Sequence, residues 1–308
     1  MLSHRDRRIS RGKFINLGGM GAAALLLGCS RTEPERDVER SISFSDYPFS
    51  LGVASGDPRP DGVALWTRLA PAPLDHGGGM PDREVAARWE VAEDEGFRKV
   101  VRRGEEVASP SLAHSVHAEV EGLRPGRWYF FRFKAGGETS AVGRTRTAPE
   151  RGVPEMNFAF ASCQKWDEGF YSAYRRMSGD DLDLVFHLGD YIYEYGVGES
   201  GGARGAPVPE QFRGEATTLD DYRLRYALYK TDADLQAAHA AFPWVVTWDD
   251  HDVDNDYAGD DSENSDPRER FLARRAAAYQ AFYEHMPLRR SAMPEGPDMP
   301  LYRRITYG

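Results

Sequence analysis

Three apolar runs in the second half of the chain constrain the fold more than any other feature. They are "MNFAFASC" at 156–163, "LDLVFHLGD" at 182–190 and "PWVVTWDD" at 243–250. None shows the alternation of a strand with one wet face. Continuous runs of this kind are expected of strands buried on both faces, the pattern of parallel sheets covered by helices. Segments of helical character lie between and after them, at 170–177, 219–242 (two helices) and 267–285. In the last of these Phe271, Arg275, Tyr279 and Phe282 recur at intervals of three and four. Strand–helix alternation predicts an α/β layered sheet.

The residues that close each run carry the chemistry. The first ends in Ser162-Cys163-Gln164, the second in Gly189-Asp190-Tyr191-Ile192-Tyr193, and the third in Asp249-Asp250-His251. Ligands collect at the carboxyl ends of strands in open α/β sheets, so these clusters are expected to meet. A thiolate, a phenolate and carboxylates suit a hard or borderline trivalent metal beside a divalent one. Two cations about 4 Å apart clamp a phosphate and make hydroxide available near neutral pH. Asp190, presented by Gly189, is suited to bridge them, and His251 to protonate a leaving alkoxide. The chain has two cysteines, Cys29 and Cys163. With Cys29 spent on anchoring or removed, Cys163 has no disulfide partner. A nucleophile elbow and a P-loop are both absent; "GGARGAP" lacks the Lys-Ser/Thr that a P-loop needs.

Residues 249–266 hold nine acids and no base. Asp252, Asp254, Asp256 and Glu263 fall at positions 1, 3, 5 and 12 of an EF-hand loop. Position 6, which needs glycine, is Tyr257, and a strand-like run precedes the loop where an EF-hand has a helix. Asp249 and Asp252 are read as residues that orient their neighbours, and His187, His239 and His285 as structural.

From Phe49 to about Thr147 the texture is short β-type runs between turns. "GLRPGRWYFFRFKA" is similar to the E–F corner of an immunoglobulin or fibronectin-III sandwich, with Tyr129 placed to bond back to the turn. The expected organisation is an export or lipoprotein signal at 1–29, a tether at 30–42, an Ig/FnIII-like β-sandwich at 43–149 and the α/β sheet at 150–308. The Gly/Pro-rich insertion at 196–214 reads as a mobile surface loop.

The N-terminus reads as an address. Basic "RDRRISRGK" leads into "FINLGGMGAAALLLGC", which is too short to span a membrane. "SRGKFINLGG" resembles a twin-arginine export signal, with Gly12 where the second arginine stands. "LLGC" is read as a lipobox, which would lipidate Cys29 and attach the chain to a membrane; the competing reading is ordinary signal-peptidase cleavage. Either way the expected location is the periplasm or cell envelope. A net charge of −10 argues against a nucleic-acid-binding surface.

"FASCQ", "HLGDYIYEYG" and "VVTWDDHDVDNDYAG" resemble signature blocks of the PhoD-type alkaline phosphatases, a branch of the calcineurin-like metallophosphoesterases. "FSLGVASGDPRPDGVALWTRLAP" resembles the N-terminal domain of the same family. The resemblance implies a metallophosphoesterase-type sheet behind the sandwich. It also implies a ferric ion (Fe3+) held by Cys163, Asp190 and Tyr193, with Asp190 bridging to calcium (Ca2+). Asp250 then takes the place of the asparagine of the superfamily's Gly-Asn-His motif, His251 takes the place of its histidine, and Asn255 is a further calcium ligand. The implied reaction is metal-dependent hydrolysis of phosphate mono- and diesters by a metal-activated hydroxide at a binuclear Fe/Ca centre. Family members are longer, and "PLYRRITYG" resembles the start of a further strand. The chain is therefore expected to hold only part of the sheet and of the site, as a C-terminally truncated phosphatase. The competing function is an inactive surface lipoprotein fragment acting as a binding module, which would not need Cys163, Asp190 and Asp250 together.

Overall fold

A computed structural model describes residues 42–153 and 155–308. The export signal, the lipobox with Cys29, and the tether before Ile42 lie outside the described residues.

The first strands are β1 (Val53–Arg59), β2 (Gly62–Arg68), β3 (Val85–Ala92), β4 (Val100–Ala108), β5 (Ser115–Val120), β6 (Trp128–Ala135), β7 (Glu138–Thr139) and β8 (Gly143–Arg146). Then come β9 (Phe158–Ala161), helix α1 (Ser172–Met177), β10 (Leu184–His187), α2 (Leu219–Lys230), α3 (Ala233–Ala241), β11 (Pro243–Val246) and α4 (Arg268–His285). All the expected helices form. The break between α2 and α3 falls at Thr231-Asp232, where the Asp232 carboxylate accepts the N–H groups of Asp234 and Leu235 and so starts a new helix. Thr218 and Asp221 form a reciprocal capping box at the start of α2.

The strands form a five-stranded and a six-stranded sheet. The smaller has the order β4-β3-β6-β7 with β8 on β6, all antiparallel. Its inner side chains, Val85, Ala87, Trp89, Val91, Tyr129, Phe131 and Phe133, pack on Val53, Val63, Leu65, Val116, Ala118 and Val120 of β1, β2 and β5. Phe131 and Phe133 are fully buried, and a side chain so removed from water contributes about 1.5–3 kcal/mol. At the corner before β6 the Arg124 N–H donates to the Tyr129 hydroxyl at 2.9 Å, the bond expected from the Leu-x-Pro-Gly turn. Strand β4 was not expected. Its "VVRRGEEVA" has charged residues in the middle, and it forms because a sheet edge leaves those side chains in water.

The six-stranded sheet has the order β5-β2-β1-β11-β10-β9. Hydrogen bonding therefore crosses the boundary expected at 149–150. Strand β1 pairs in parallel with β11 at Ser55↔Pro243 and Gly56↔Trp244, so one sheet serves both the front layers and the rear of the chain. Gly56 permits the junction, since a Cβ there would lie 2.4 Å from the Pro287 carbonyl oxygen and 2.7 Å from that of Trp244. Strands β10 and β11 are largely buried, as their apolar runs require. The expectation of burial on both faces fails for β9, which is the edge strand and leaves Phe158 52% and Phe160 68% exposed.

The insertion at 196–214, expected to be mobile, is tied down. Val197, Val208 and Phe212 are buried. The Arg204 guanidinium lies over the rings of Trp166 and Tyr171 and pairs with Asp232 at 2.6 Å, with both side chains buried.

Candidate metal centre

Strands β9, β10 and β11 are parallel and in register, with Ala161, His187 and Val246 at matching positions. Their carboxyl ends accordingly open on one edge. The ladder runs on past the strands: Leu188 N–H donates to the Ala161 carbonyl (2.9 Å), Thr247 N–H to His187 (3.0 Å), Cys163 N–H to Gly189 (3.3 Å) and Gln164 N–H to Asp190 (3.2 Å). Cys163 and Asp190 both sit in the left-handed region, at φ 56° and 50°. For residues other than glycine this costs about 1–3 kcal/mol each, and such strain is found where the surroundings over-determine it. Gly189, at φ 108°, lets the third loop approach, because a Cβ there would stand 2.3 Å from the Asp249 nitrogen.

Asp190, Asp250 and His251 converge, each offering a ligand atom within 4.8 Å of the others. Asp190 Oδ2 accepts the Tyr193 hydroxyl at 3.2 Å, whereas Cys163, expected beside it, is exposed and is not one of the three residues that meet. Asp190 Oδ1 is buried without a hydrogen-bond partner. A buried carboxylate oxygen left bare is costly unless a cation faces it, so the donor set fits metal. Asp250 Oδ2 accepts the Asp256 N–H at 2.7 Å. The side chain of Asn255 bonds Asp256 and Glu263, and its backbone N–H bonds Glu194.

The grip on His251 was not visible in the sequence. Glu194, with no exposed surface, accepts from His251 Nδ1 at 2.9 Å and from the Asn255 N–H at 2.9 Å. Tyr193 lies against the imidazole at 4.2 Å between ring centres, and Tyr195 stands edge-on at 5.3 Å. One short run therefore encloses His251, but its partners are more than fifty residues apart in sequence and no periodicity flags them. Burial pulls the His251 pKa down, while the bond to Glu194 and the charges of Glu194, Asp190 and Asp250 lift it to a net value above the ordinary one. Burial raises the carboxyls of Asp190 and Glu194, and also the Tyr193 phenol, which the Asp190 charge raises further.

Asp252 has the supporting role expected of it. Its Oδ1 accepts the N–H groups of Tyr191 (3.1 Å) and Ile192 (3.3 Å) and the Tyr226 hydroxyl (3.2 Å), and its Oδ2 the N–H of Asp249 (3.0 Å). It thus ties the second loop to the third, and burial raises its pKa to about 7. Asp254 is buried against Arg274 at 2.8 Å. The first two EF-hand positions are therefore occupied by structural carboxylates. His187, His239 and His285 are buried. Two cavities adjoin the edge. One of about 550 Å³ includes Asp249 and Asp250 in its lining, and one of about 510 Å³ includes Cys163.

The sequence profile described as "PhoD-like phosphatase" matches residues 158–308, and that described as "PhoD-like phosphatase, N-terminal domain" matches residues 34–149. The chain is 56% identical to alkaline phosphatase D of Bacillus subtilis (strain 168) over 309 aligned residues, covering 99% of this chain and 53% of that protein. A solved structure of PhoD superposes with a TM-score of 0.82 at 60% identity, covering 87% of this chain and 51% of that one. The chain thus spans about half the length of the relatives it matches.

Proposed function

The chain belongs to the PhoD-like phosphatase family, and from that premise we propose that the edge where Asp190, Asp250 and His251 meet is part of a site for metal-dependent hydrolysis of phosphate mono- and diesters. The observation that carries the reading is the bare, buried Asp190 Oδ1 within that cluster. In this reading Cys163, Asp190 and Tyr193 would hold ferric iron, and Asp190, Asp250 and Asn255 would hold calcium. Bound there, the two cations supply positive charge against a phosphoryl group and acidify water.

The remaining work falls to the chain's own residues. Glu194 holds His251 by Nδ1, which leaves Nε2 as the nitrogen free to face substrate. The Glu194 carboxylate on Nδ1 favours the protonated imidazole, the form that could pass a proton to a leaving alkoxide. Asp252 and the two strained residues keep the loops from drifting when charge develops. For the front layers, the Tyr129 corner supports an Ig/FnIII-type sandwich. Export to the periplasm or cell envelope is proposed from residues 1–29 alone.

The test is elemental analysis of the purified chain with hydrolysis assays on p-nitrophenyl phosphate and bis(p-nitrophenyl) phosphate. Iron, calcium and turnover are expected together, and all three should fall in Asp190→Ala. Undiminished turnover in that variant would remove Asp190 from the bridging role.

A further inference from the structure

Gln164 is buried and makes a hydrogen bond with each of its four polar groups. Its N–H donates to the Asp190 carbonyl at 3.2 Å, and its carbonyl accepts the Tyr171 hydroxyl at 2.7 Å. Its side-chain Nε2 donates to the Tyr191 carbonyl at 3.0 Å, and its Oε1 accepts the Tyr174 hydroxyl. The bonds reach three parts of the molecule: the loop after β10, the segment leading into α1, and α1 itself. Cys163 and Asp190, the left-handed residues, lie on either side of this meeting point.

Neither conformation is one its residue adopts freely, so something must hold each in place. The backbone pairs Cys163–Gly189 and Gln164–Asp190 join the two loops. The Gln164 amide adds a side-chain tie to the same loop and a second one to α1. It needs a donor on one side and an acceptor on the other, which an ionised carboxylate or an apolar side chain of the same length cannot both offer. The partners it satisfies are themselves buried: Tyr174 is 5% exposed and Tyr191 fully enclosed. Losing the amide leaves a buried hydroxyl and a buried carbonyl unpaired, and the loops part to reach water.

We propose that Gln164 is a positioning residue that fixes the Cys163 loop against the Asp190 loop, and so sets the spacing of the iron side of the site. The inference rests on the phosphatase reading for its purpose, but its geometry does not depend on it.

Two variants test the idea, Gln164→Met, which keeps length and packing, and Tyr174→Phe, which removes one bond of the clamp. The first readout is the modification rate of Cys163 by a disulfide reagent in metal-free protein, followed by peptide mapping to separate Cys163 from Cys29. Cys163 is exposed in the folded protein, so this rate reports the freedom of its loop; loosening that loop should raise it about tenfold in Gln164→Met and by a smaller factor in Tyr174→Phe. The second readout is iron bound per chain after reconstitution, which should fall in the same order. Variants that only melt earlier, with wild-type thiol reactivity, would make Gln164 a packing residue and overturn the proposal. If wild-type protein takes up no iron and turns over no ester, the phosphatase reading fails, while the thiol rates still decide the clamp.

Discussion

Replacing Glu194 probes how His251 is held. The carboxylate accepts two hydrogen bonds, from His251 Nδ1 and from the Asn255 N–H, each at 2.9 Å, and has no exposed surface. Glutamine keeps the shape but offers one acceptor oxygen, so two donors compete for it and one is left facing an amide N–H. A buried donor without a partner costs about 1–3 kcal/mol. An opposing effect is present, because burial raises the Glu194 pKa and the ionised side chain therefore carries a desolvation cost that glutamine escapes. The two together place Glu194→Gln near the bottom of the range, about 1 kcal/mol less stable than wild type. Glu194→Ala strands both donors and opens a gap, and is expected to cost about 4 kcal/mol. Urea unfolding followed by tryptophan fluorescence on metal-free protein measures both, with an unchanged denaturant slope showing that the change lies in stability. In the metal-loaded protein, turnover of Glu194→Gln should fall about 10²-fold, the lower end of what a positioned acid contributes. A Glu194→Gln protein with wild-type stability and wild-type turnover would show that Glu194 does not hold His251.

Two further expectations concern other parts of the molecule. Gly189→Ala forces a Cβ to within 2.3 Å of the Asp249 backbone nitrogen at φ 108°, and strain plus overpacking should cost about 3 kcal/mol with loss of metal uptake; a variant that melts and loads like wild type would mean that the two loops are not held in contact. His117, far along β5, is buried against Tyr283 and its pKa is lowered by that burial from 6.5 to about 4. The unfolded chain therefore takes up the proton first, so this contribution is complete above pH 6.5 and is lost as pH falls towards 4, about 3 kcal/mol in all. His117→Phe should flatten the stability curve across that window, and an unaltered slope there would contradict the assignment.

Much of this could be read from residue order alone, because it depends on local periodicity and on strand ends. Continuous apolar runs announced β10 and β11, and the 3–4 spacing announced α4. Parallel strands carry their following residues to one edge, so the meeting of Asp190 with Asp250 and His251 needed only the recognition of those strands. The mistakes have physical causes as well. Glycine and proline in 196–214 suggested mobility, but Arg204 finds an aromatic cage and a buried acid that belong to distant segments. The apolar run of β9 gave no sign that its strand would lie at an edge, since strand order is not written in hydropathy.

The sequence by itself determined the elements, the edge where chemistry gathers and the residue types gathered there. The tertiary structure alone decided that β1 joins β11 to make one sheet of two expected domains. It alone decided that Glu194 takes His251, that Gln164 joins two strained loops, and that one oxygen of Asp190 is left bare. These are pairings between residues tens to hundreds of positions apart, set by the directions of hydrogen bonds and by close packing. No local pattern encodes them; they exist only once the chain has closed on itself.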